Sequence, residues 1–503
     1  MIARVSTFAL DGVEGRRVWV EADIRLGLPA FTVVGLADKA VREARERVQA
    51  AIVNSGFAFP AKRITVNLAP ASLRKAGPGF DLPLALALLV ASEQLDADAL
   101  AGCAVVGELS LTGDVRSVRG VLACAEGARR HGLRRIVVPR RRAREAGLVP
   151  GVEVVGVDSL QEAVDVLAGR AAPREPEPVG DAPIDASAPD LADVRGHNAL
   201  VPALEVAAAG GHNLLLHGPP GTGKTMLARR LPSILPPLTP DEALEVTRIH
   251  SVAGLHDGGL AEARPFRAPH HSVSAAGLVG GGSPPAPGEA TLAHHGVLFL
   301  DELSEFVRSS LEALRQPLED GHVIIVRGQR AMIFPTGCTL VAATNPCPCG
   351  RPVESCRCSA ADLARHQRRL SGPLLDRIDL LVSVGRPDAR ALRDEQGPTS
   401  ASVRERVIAA RERQQERLRD ERASCNARMT PRQLRDLARA TPGALRLLYE
   451  LHDRQALSAR GHARVLRVAR TIADLDGAEH VGTDHIHAAA GLRLQEPASA
   501  VAA

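Results

Sequence analysis

The stretch that most limits what this chain can become is Gly218-Pro219-Pro220-Gly221-Thr222-Gly223-Lys224-Thr225. Its glycines let backbone N–H groups turn inward and cradle an anion, and Lys224 and Thr225 add a cation and a hydroxyl. Such a loop works between a buried strand that stops and a helix that starts, because the helix N-terminus contributes its positive end. Asn213 to Leu216 is a short apolar segment of the required kind. The eight residues therefore read as a nucleotide phosphate loop, with Lys224 reaching the β- and γ-phosphates and Thr225 binding Mg²⁺.

Two further apolar segments end in polar groups suited to the same chemistry. Val297 to Leu300 runs into Asp301 and Glu302. A buried strand delivers Asp301 to the Mg²⁺ shell and leaves Glu302 to polarise the attacking water as a general base. Acids also cap strand ends without any catalytic role; the phosphate loop upstream is what favours the catalytic reading. Thr339 to Ala343 leads through Thr344 to Asn345, an amide at the end of a third strand that either holds the lytic water or serves as a turn residue. Short apolar strands alternating with helices imply a doubly wound parallel sheet.

The 503 residues allow two to four domains at about 100–200 residues each. The segment 171–190, rich in Pro, Ala and acid, reads as a linker. Before it, 1–170 is expected to be a mixed α/β domain, with strands at Arg17 to Ile24, Arg63 to Leu68 and Arg135 to Val138 and helices at Lys39 to Val53, Leu82 to Ser92 and Val121 to His131. After it come an ATPase core at 191–390 and an Arg-rich helical region at 391–503. A net charge of +4 does not by itself call for a polyanion, and the basic cluster Arg129 to Arg144 fits a solvated face. Aromatics are only 2%, so base-stacking platforms are scarce. No leader-like N-terminus appears, and Leu82 to Ala91 is too short to span a bilayer, so a cytoplasmic chain with reduced thiols is expected.

The phosphate loop, Arg264-Pro-Phe-Arg-Ala-Pro-His-His271, Pro287-Gly-Glu289, Gly-Val-Leu-Phe-Leu-Asp301-Glu302-Leu and Asn345-Pro-Cys-Pro-Cys-Gly350 occur in one order that resembles the ComM/YifB family of magnesium-chelatase-like AAA+ ATPases, over essentially the whole chain. The resemblance implies an AAA+ core, a C-terminal helical lid, and a nucleotide-dependent ring, a homo-hexamer. It also implies a DNA partner, because the family includes a branch-migration helicase of natural transformation. By position, Asn345 resembles sensor 1, Arg377 the arginine finger and Arg460 sensor 2. The first domain resembles the Lon-protease-like (S5-like) domain, but Gly79 stands where Lon has its nucleophile and Leu122 where it has its lysine. With no hydroxyl and no amine there is no dyad, and no peptidase activity is expected.

Three motifs remain. Cys347, Cys349, Cys356 and Cys358 form two C-x-C pairs that either bind Zn²⁺ or sit as reduced thiols in a loop. His270, His271, His294 and His295 flank a Gly- and Pro-rich stretch that reads as an inserted loop near a ring pore rather than a metal site. Val323 to Val326 and Ala331 to Phe334 bracket a turn-like Arg327-Gly-Gln-Arg330, an expected β-hairpin whose arginines either grip DNA phosphates or aid solubility. The reading is thus an ATP- and Mg²⁺-using DNA helicase or translocase. A chelatase motor subunit inserting metal into a tetrapyrrole and a protein-remodelling ATPase are the rivals.

Overall fold

The computed structural model describes residues 2–174 and 189–493, apart from 37, 39–40, 42, 257, 284, 328–329, 352–354, 370–371, 388, 395–396, 422 and 456–457. Most of the expected linker, 175–188, therefore lies outside the described residues.

The N-terminal part is built on a seven-stranded mixed sheet. Its strands are β1 (Ile2–Asp11), β2 (Glu14–Arg25), β3 (Ala30–Val34), β4 (Arg63–Ala69), β5 (Cys103–Val105), β6 (Arg135–Pro139) and β7 (Glu153–Val157), in the order β3-β4-β2-β1-β5-β6-β7. β1 and β2 form an antiparallel hairpin, β2 also pairs antiparallel with β4, and the remaining neighbours run parallel. Helix Asp81–Ala91 is buried along its whole length, which its run of Leu, Ala and Val after Asp81 and Pro83 allows. Gly79 faces Val106 and Val118, and Leu122 is fully buried with its N–H on Glu145 Oε1 at 2.8 Å.

The second part carries a five-stranded, all-parallel sheet of β8 (Leu214–His217), β9 (Phe266–Arg267), β10 (Val297–Leu300), β11 (Thr339–Thr344) and β12 (Leu380–Ser383), ordered β9-β10-β11-β8-β12. Alternate residues feed two separate cores. Leu214, Leu216, Val297, Phe299, Val341, Ala343, Leu380 and Val382 face one, and Leu215, Leu298, Leu300, Leu340 and Ala342 face the other. Burial on both faces explains why these strands read as unbroken apolar runs.

The C-terminal helices share the first of these cores. Helix Ser400–Arg417 buries Val403, Val407, Ala410 and Gln414, a stripe at helical spacing, and packs on helices Val201–Gly210 and Lys224–Ile234. Ser400 also accepts from Leu191 N at 2.8 Å, so packing is continuous across residue 390. No helix among the described residues is long and apolar enough to cross a membrane.

The two parts are in direct contact, despite the linker-like composition between them. Helix Pro240–Ala253 presents Ser251, whose hydroxyl donates to Glu145 and whose carbonyl accepts from Gly120 N at 3.2 Å; Arg248 pairs with Glu126 at 3.5 Å. Glu145 is fully buried and also pairs with Arg142 at 3.2 Å.

Inside the C-terminal helices, Asp474 is 1% exposed and accepts from Arg470 at 3.0 Å, Arg417 at 2.8 and 2.7 Å, and Asn426 at 2.8 Å. Removing one side of a buried ion network leaves charge uncompensated, so Asp474→Ala is expected to destabilise this part by about 3–5 kcal/mol. Urea unfolding followed by far-UV circular dichroism checks this, and a loss below about 1 kcal/mol, the scale of an exposed pair, contradicts it.

Candidate functional site

β8 ends at His217, and the chain turns through a loop in which Gly221 and Gly223 adopt φ of +74° and +89°. Gly218 is needed for a different reason: a Cβ there would lie 2.1 Å from Val384 O. The loop hangs from the neighbouring strands through Gly218 N to Thr344 O at 3.2 Å and Val384 N to His217 O at 2.7 Å. Helix Lys224–Ile234 starts immediately after it.

Lys224 Nζ donates to Gly218 O at 2.6 Å, Pro219 O at 2.7 Å and Asn345 Oδ1 at 3.1 Å. Its three donors thus sit over the loop, and burial lowers its pKa, partly offset by the nearby Asp301 carboxylate. Thr225 Oγ1 donates to Asp301 Oδ2 at 2.7 Å. Glu302 has φ +52°, with its N–H on Asp301 Oδ1 at 2.9 Å. A bound Mg²⁺-nucleotide fits these residues. The space above Gly221 is open, the lysine ammonium already caps the loop, and a hydroxyl paired with a carboxylate is the hard oxygen set that Mg²⁺ prefers.

A cavity of about 240 Å³ beside the loop is lined by Thr225, Arg229, Ala268, Pro269, His270, His271, Phe299, Asp301 and Glu302. His271 Nδ1 lies 3.5 Å from Glu302 Oε2, and the His270 and His271 rings are 4.0 Å apart. The expectation of one histidine-rich pore loop therefore needs correcting. The pairs are separate: His270 and His271 follow edge strand β9 into the cleft. His294 and His295 precede β10, where His294 Nε2 and His295 Nε2 reach Glu245 at 3.1 and 2.8 Å. His294 Nδ1 accepts from Gly337 N at 2.8 Å, so this constellation is closed by hydrogen bonds. No local sequence signal marks His270 and His271: the strand before them is only two residues long, and its parallel pairing with the strand carrying Asp301 is what brings them to the same crevice.

Arg377 and Arg460 stand elsewhere. Both pair with Glu319, Arg460 at 3.4 Å and Arg377 more closely. Asn213, just before β8, donates to Arg377 O at 2.9 Å and accepts from Leu340 N at 2.8 Å. The two arginines therefore lie at the strand-start end of the sheet. Five residue steps lead from Asn213 to Gly218, about 16 Å at roughly 3.3 Å per residue. Glu319 also lines a cavity of about 830 Å³ at that end, with Gly296, Thr339 and Arg411.

The four clustered cysteines converge. Cys347 Sγ lies 3.3 Å from Cys349 Sγ and 3.7 Å from Cys356 Sγ, Cys349 lies 3.8 Å from Cys356, and all four sulfurs fall within 4.8 Å of one another. Backbone N–H groups of Arg357 and Arg351 pull the Cys349 thiol down to about 6, while burial pushes Cys347 up to about 12. The expected hairpin is present as His322–Arg327 and Arg330–Pro335, with Arg327 opposite Arg330 and exposed. Its turn at 328–329 and the Arg330 side chain lie outside the described residues.

A parallel sheet ending in a glycine-rich loop, with a carboxylate and an amide from adjacent strands, belongs to the AAA+ class of ATPases, and sequence comparison agrees. The family model for magnesium chelatase, subunit ChlI, matches residues 190–392; that for subunit ChlI of Mg-chelatase matches 20–142; and that for the subunit ChlI C-terminal region matches 397–493. The uncharacterized protein YifB of Salmonella typhimurium is 45% identical over 496 residues, covering 98% of this chain and 97% of that one. The competence protein ComM of Haemophilus influenzae is 42% identical over 503 residues, covering 98% and 97%. A Lon protease of Chloroflexus aurantiacus is 29% identical over 168 residues, 31% of this chain and 20% of that one. The chain belongs to the YifB/ComM family of magnesium-chelatase-like proteins.

Proposed function

We propose that this protein is a ring-forming, ATP-driven DNA translocase, a branch-migration helicase acting in transformation or recombination. One observation carries the motor reading: phosphate loop, carboxylates and amide gather at one end of the parallel sheet, while Arg377 and Arg460 stand together at the other. Arginines at the far end of a strand that spans about 16 Å do not serve their own loop, whereas a head-to-tail neighbour brings the two ends together. Repeated around a closed ring, a hexamer by family analogy, that contact completes every site. The DNA partner is supported by the competence protein among the relatives.

In this reading Gly218 to Thr225 bind ATP. Mg²⁺, held by Thr225 and Asp301, supplies charge neutralisation on the phosphates. Glu302 accepts a proton from the attacking water, Asn345 orients that water, and the neighbour's copies of Arg377 and Arg460 meet the charge that develops. Residues 1–170 serve as a Lon-like platform for binding or assembly without peptidase chemistry, joined by 171–190 to the core at 191–390 and a helical lid at 391–503. Zn²⁺ occupies the four cysteines. The chain works in the cytoplasm.

Three sets of variants test this reading. Lys224→Ala is expected to lose ATP binding by calorimetry, and Glu302→Gln to bind ATP while kcat falls about 10²–10⁴-fold in phosphate release; normal turnover by the Glu302 variant removes it from the base role. Arg377→Ala and Arg460→Ala should each bind ATP and lose about 10³-fold in kcat, and mixing either with Lys224→Ala should restore activity above the parents' sum; no restoration at any ratio argues against action between subunits. Arg327→Ala with Arg330→Ala should lower the slope of log DNA affinity against log salt by about one per arginine and abolish junction unwinding, with basal ATPase kept. Wild-type unwinding sinks the hairpin assignment. Wild-type ATPase stimulated by porphyrin or unfolded protein and not by DNA replaces the substrate assignment.

A further inference from the structure

The cysteine cluster and the phosphate loop are adjacent in space as well as in sequence. Cys347 lies two residues after Asn345, whose side chain accepts from Lys224. The Asn345 carbonyl accepts from His366 Nε2 at 2.9 Å, and His366 is 4% exposed. After Cys347 the chain turns back at once: Gly350 N donates to Cys347 O at 3.1 Å, and Gly350 has φ +66°. The turn rests on the loop itself, since a Cβ on Gly350 would lie 2.9 Å from Cδ and Cγ of Pro220. One short segment thus touches the nucleotide loop twice, through Asn345 on Lys224 and through Gly350 on Pro220.

What organises that segment is the four sulfurs. Four thiolates at about 2.3 Å around one tetrahedral ion are spaced about 3.8 Å from each other. The separations of 3.3, 3.7 and 3.8 Å match this, and they are far beyond the roughly 2.05 Å of a disulfide. Thiols are weak hydrogen-bond partners and have little reason to converge on one another. Cys103, Cys124 and Cys338 show the alternative, each a lone thiol whose burial pushes its pKa up. Cys349 is exposed, so apolar packing does not hold the turn. Four protein ligands leave no open coordination position, which makes the site structural.

We propose that Cys347, Cys349, Cys356 and Cys358 bind one Zn²⁺ ion as a brace that holds Asn345 and the Pro220 face of the phosphate loop in their working positions. The brace builds on the zinc occupancy and ATPase reading proposed above, and it makes hydrolysis depend on metal while leaving ATP affinity to Lys224 and the loop backbone. The cysteines are positioning residues: none touches the nucleotide.

The experiment uses the full-length chain, with metal analysis, cobalt substitution, hydrogen exchange and steady-state ATPase. About one zinc per chain is expected, together with the thiolate-to-cobalt charge-transfer band of a tetrahedral site after exchange. Cys347→Ser with Cys349→Ser should lose the metal and speed amide exchange at both 344–350 and 218–224. Because misplacement on the scale of 1 Å costs about 100-fold, kcat should fall by that order while ATP affinity falls far less, since the loop orders again around the nucleotide. Cys358→His keeps a four-ligand set, and should keep the metal, the slow exchange and kcat; it also serves if the double variant fails to fold. Metal-free wild type with no cobalt band overturns the site. Metal loss with unchanged exchange at 218–224 overturns the brace. A zinc-bound wild type that shows the exchange coupling but hydrolyses no ATP supports the brace and defeats the ATPase reading alone.

Discussion

The nucleotide end of this molecule depends on four residues, Leu214–His217, hydrogen-bonded in parallel to β11 on one side and β12 on the other. A parallel strand between two others cannot slip, because a one-residue shift would turn Leu214 and Leu216 out of one core and Leu215 out of the other. With register fixed, Gly218 leaves the sheet beside Thr344, and the next residue on that strand is Asn345. The contact between Lys224 and Asn345 is thus a consequence of sheet register, not of the loop alone. The same holds for Thr225 and Asp301, which meet because β10 lies one strand further along.

The polarity of that sheet also separates Arg377 and Arg460 from the phosphate loop. All five strands point the same way, so every strand end with catalytic chemistry lies on one edge and every strand start on the other. Asn213 pins the start edge by bonding Leu340 N and Arg377 O at once. The Arg377 main chain is thereby held at the start edge, at the opposite end of the strands from the phosphate loop. Its side-chain partner Glu319 is 51% exposed and shared with Arg460, itself 56% exposed, whereas the Arg377 side chain is only 10% exposed.

Local pattern made much of this legible. The phosphate loop, Asp301 and Glu302, Asn345, the hairpin and three of the seven strands of the first sheet could be read because each is announced within a few residues, by glycine spacing or by an apolar or alternating run. What stayed hidden were relations between distant segments. Nothing near His271 indicates that it stands 3.5 Å from Glu302, and nothing near Arg460 points to Glu319. The continuity of the C-terminal helices with the ATPase core was hidden for the same reason, since a stripe such as Val403, Val407 and Ala410 says that a face is buried without saying against what. Grouping four histidines by proximity in sequence failed because β10 places one pair at its own start, while β9 sends the other pair to the opposite edge.

The boundary between the two halves shows the same limit most clearly. A Pro- and acid-rich connection suggests independent units, yet the connection's composition says nothing about the surfaces it joins. Those surfaces carry Glu145, a carboxylate with no exposure to solvent. A buried charge is tolerated only when its hydrogen-bonding capacity is met, and here the partners come from both halves: Leu122 N and Arg142 from the first, Ser251 from the second. Separating the halves would strip Glu145 of one partner while the other two remained, so the docked arrangement is chemically specific rather than a chance contact. Ser251 lies in helix Pro240–Ala253, whose Glu245 holds His294 and His295 immediately before β10. The strand that delivers Asp301 is therefore tied, through one helix, to the position that Leu122 occupies in the first domain. Leu122 at that position is a buried apolar residue whose main chain helps fasten the first part to the second.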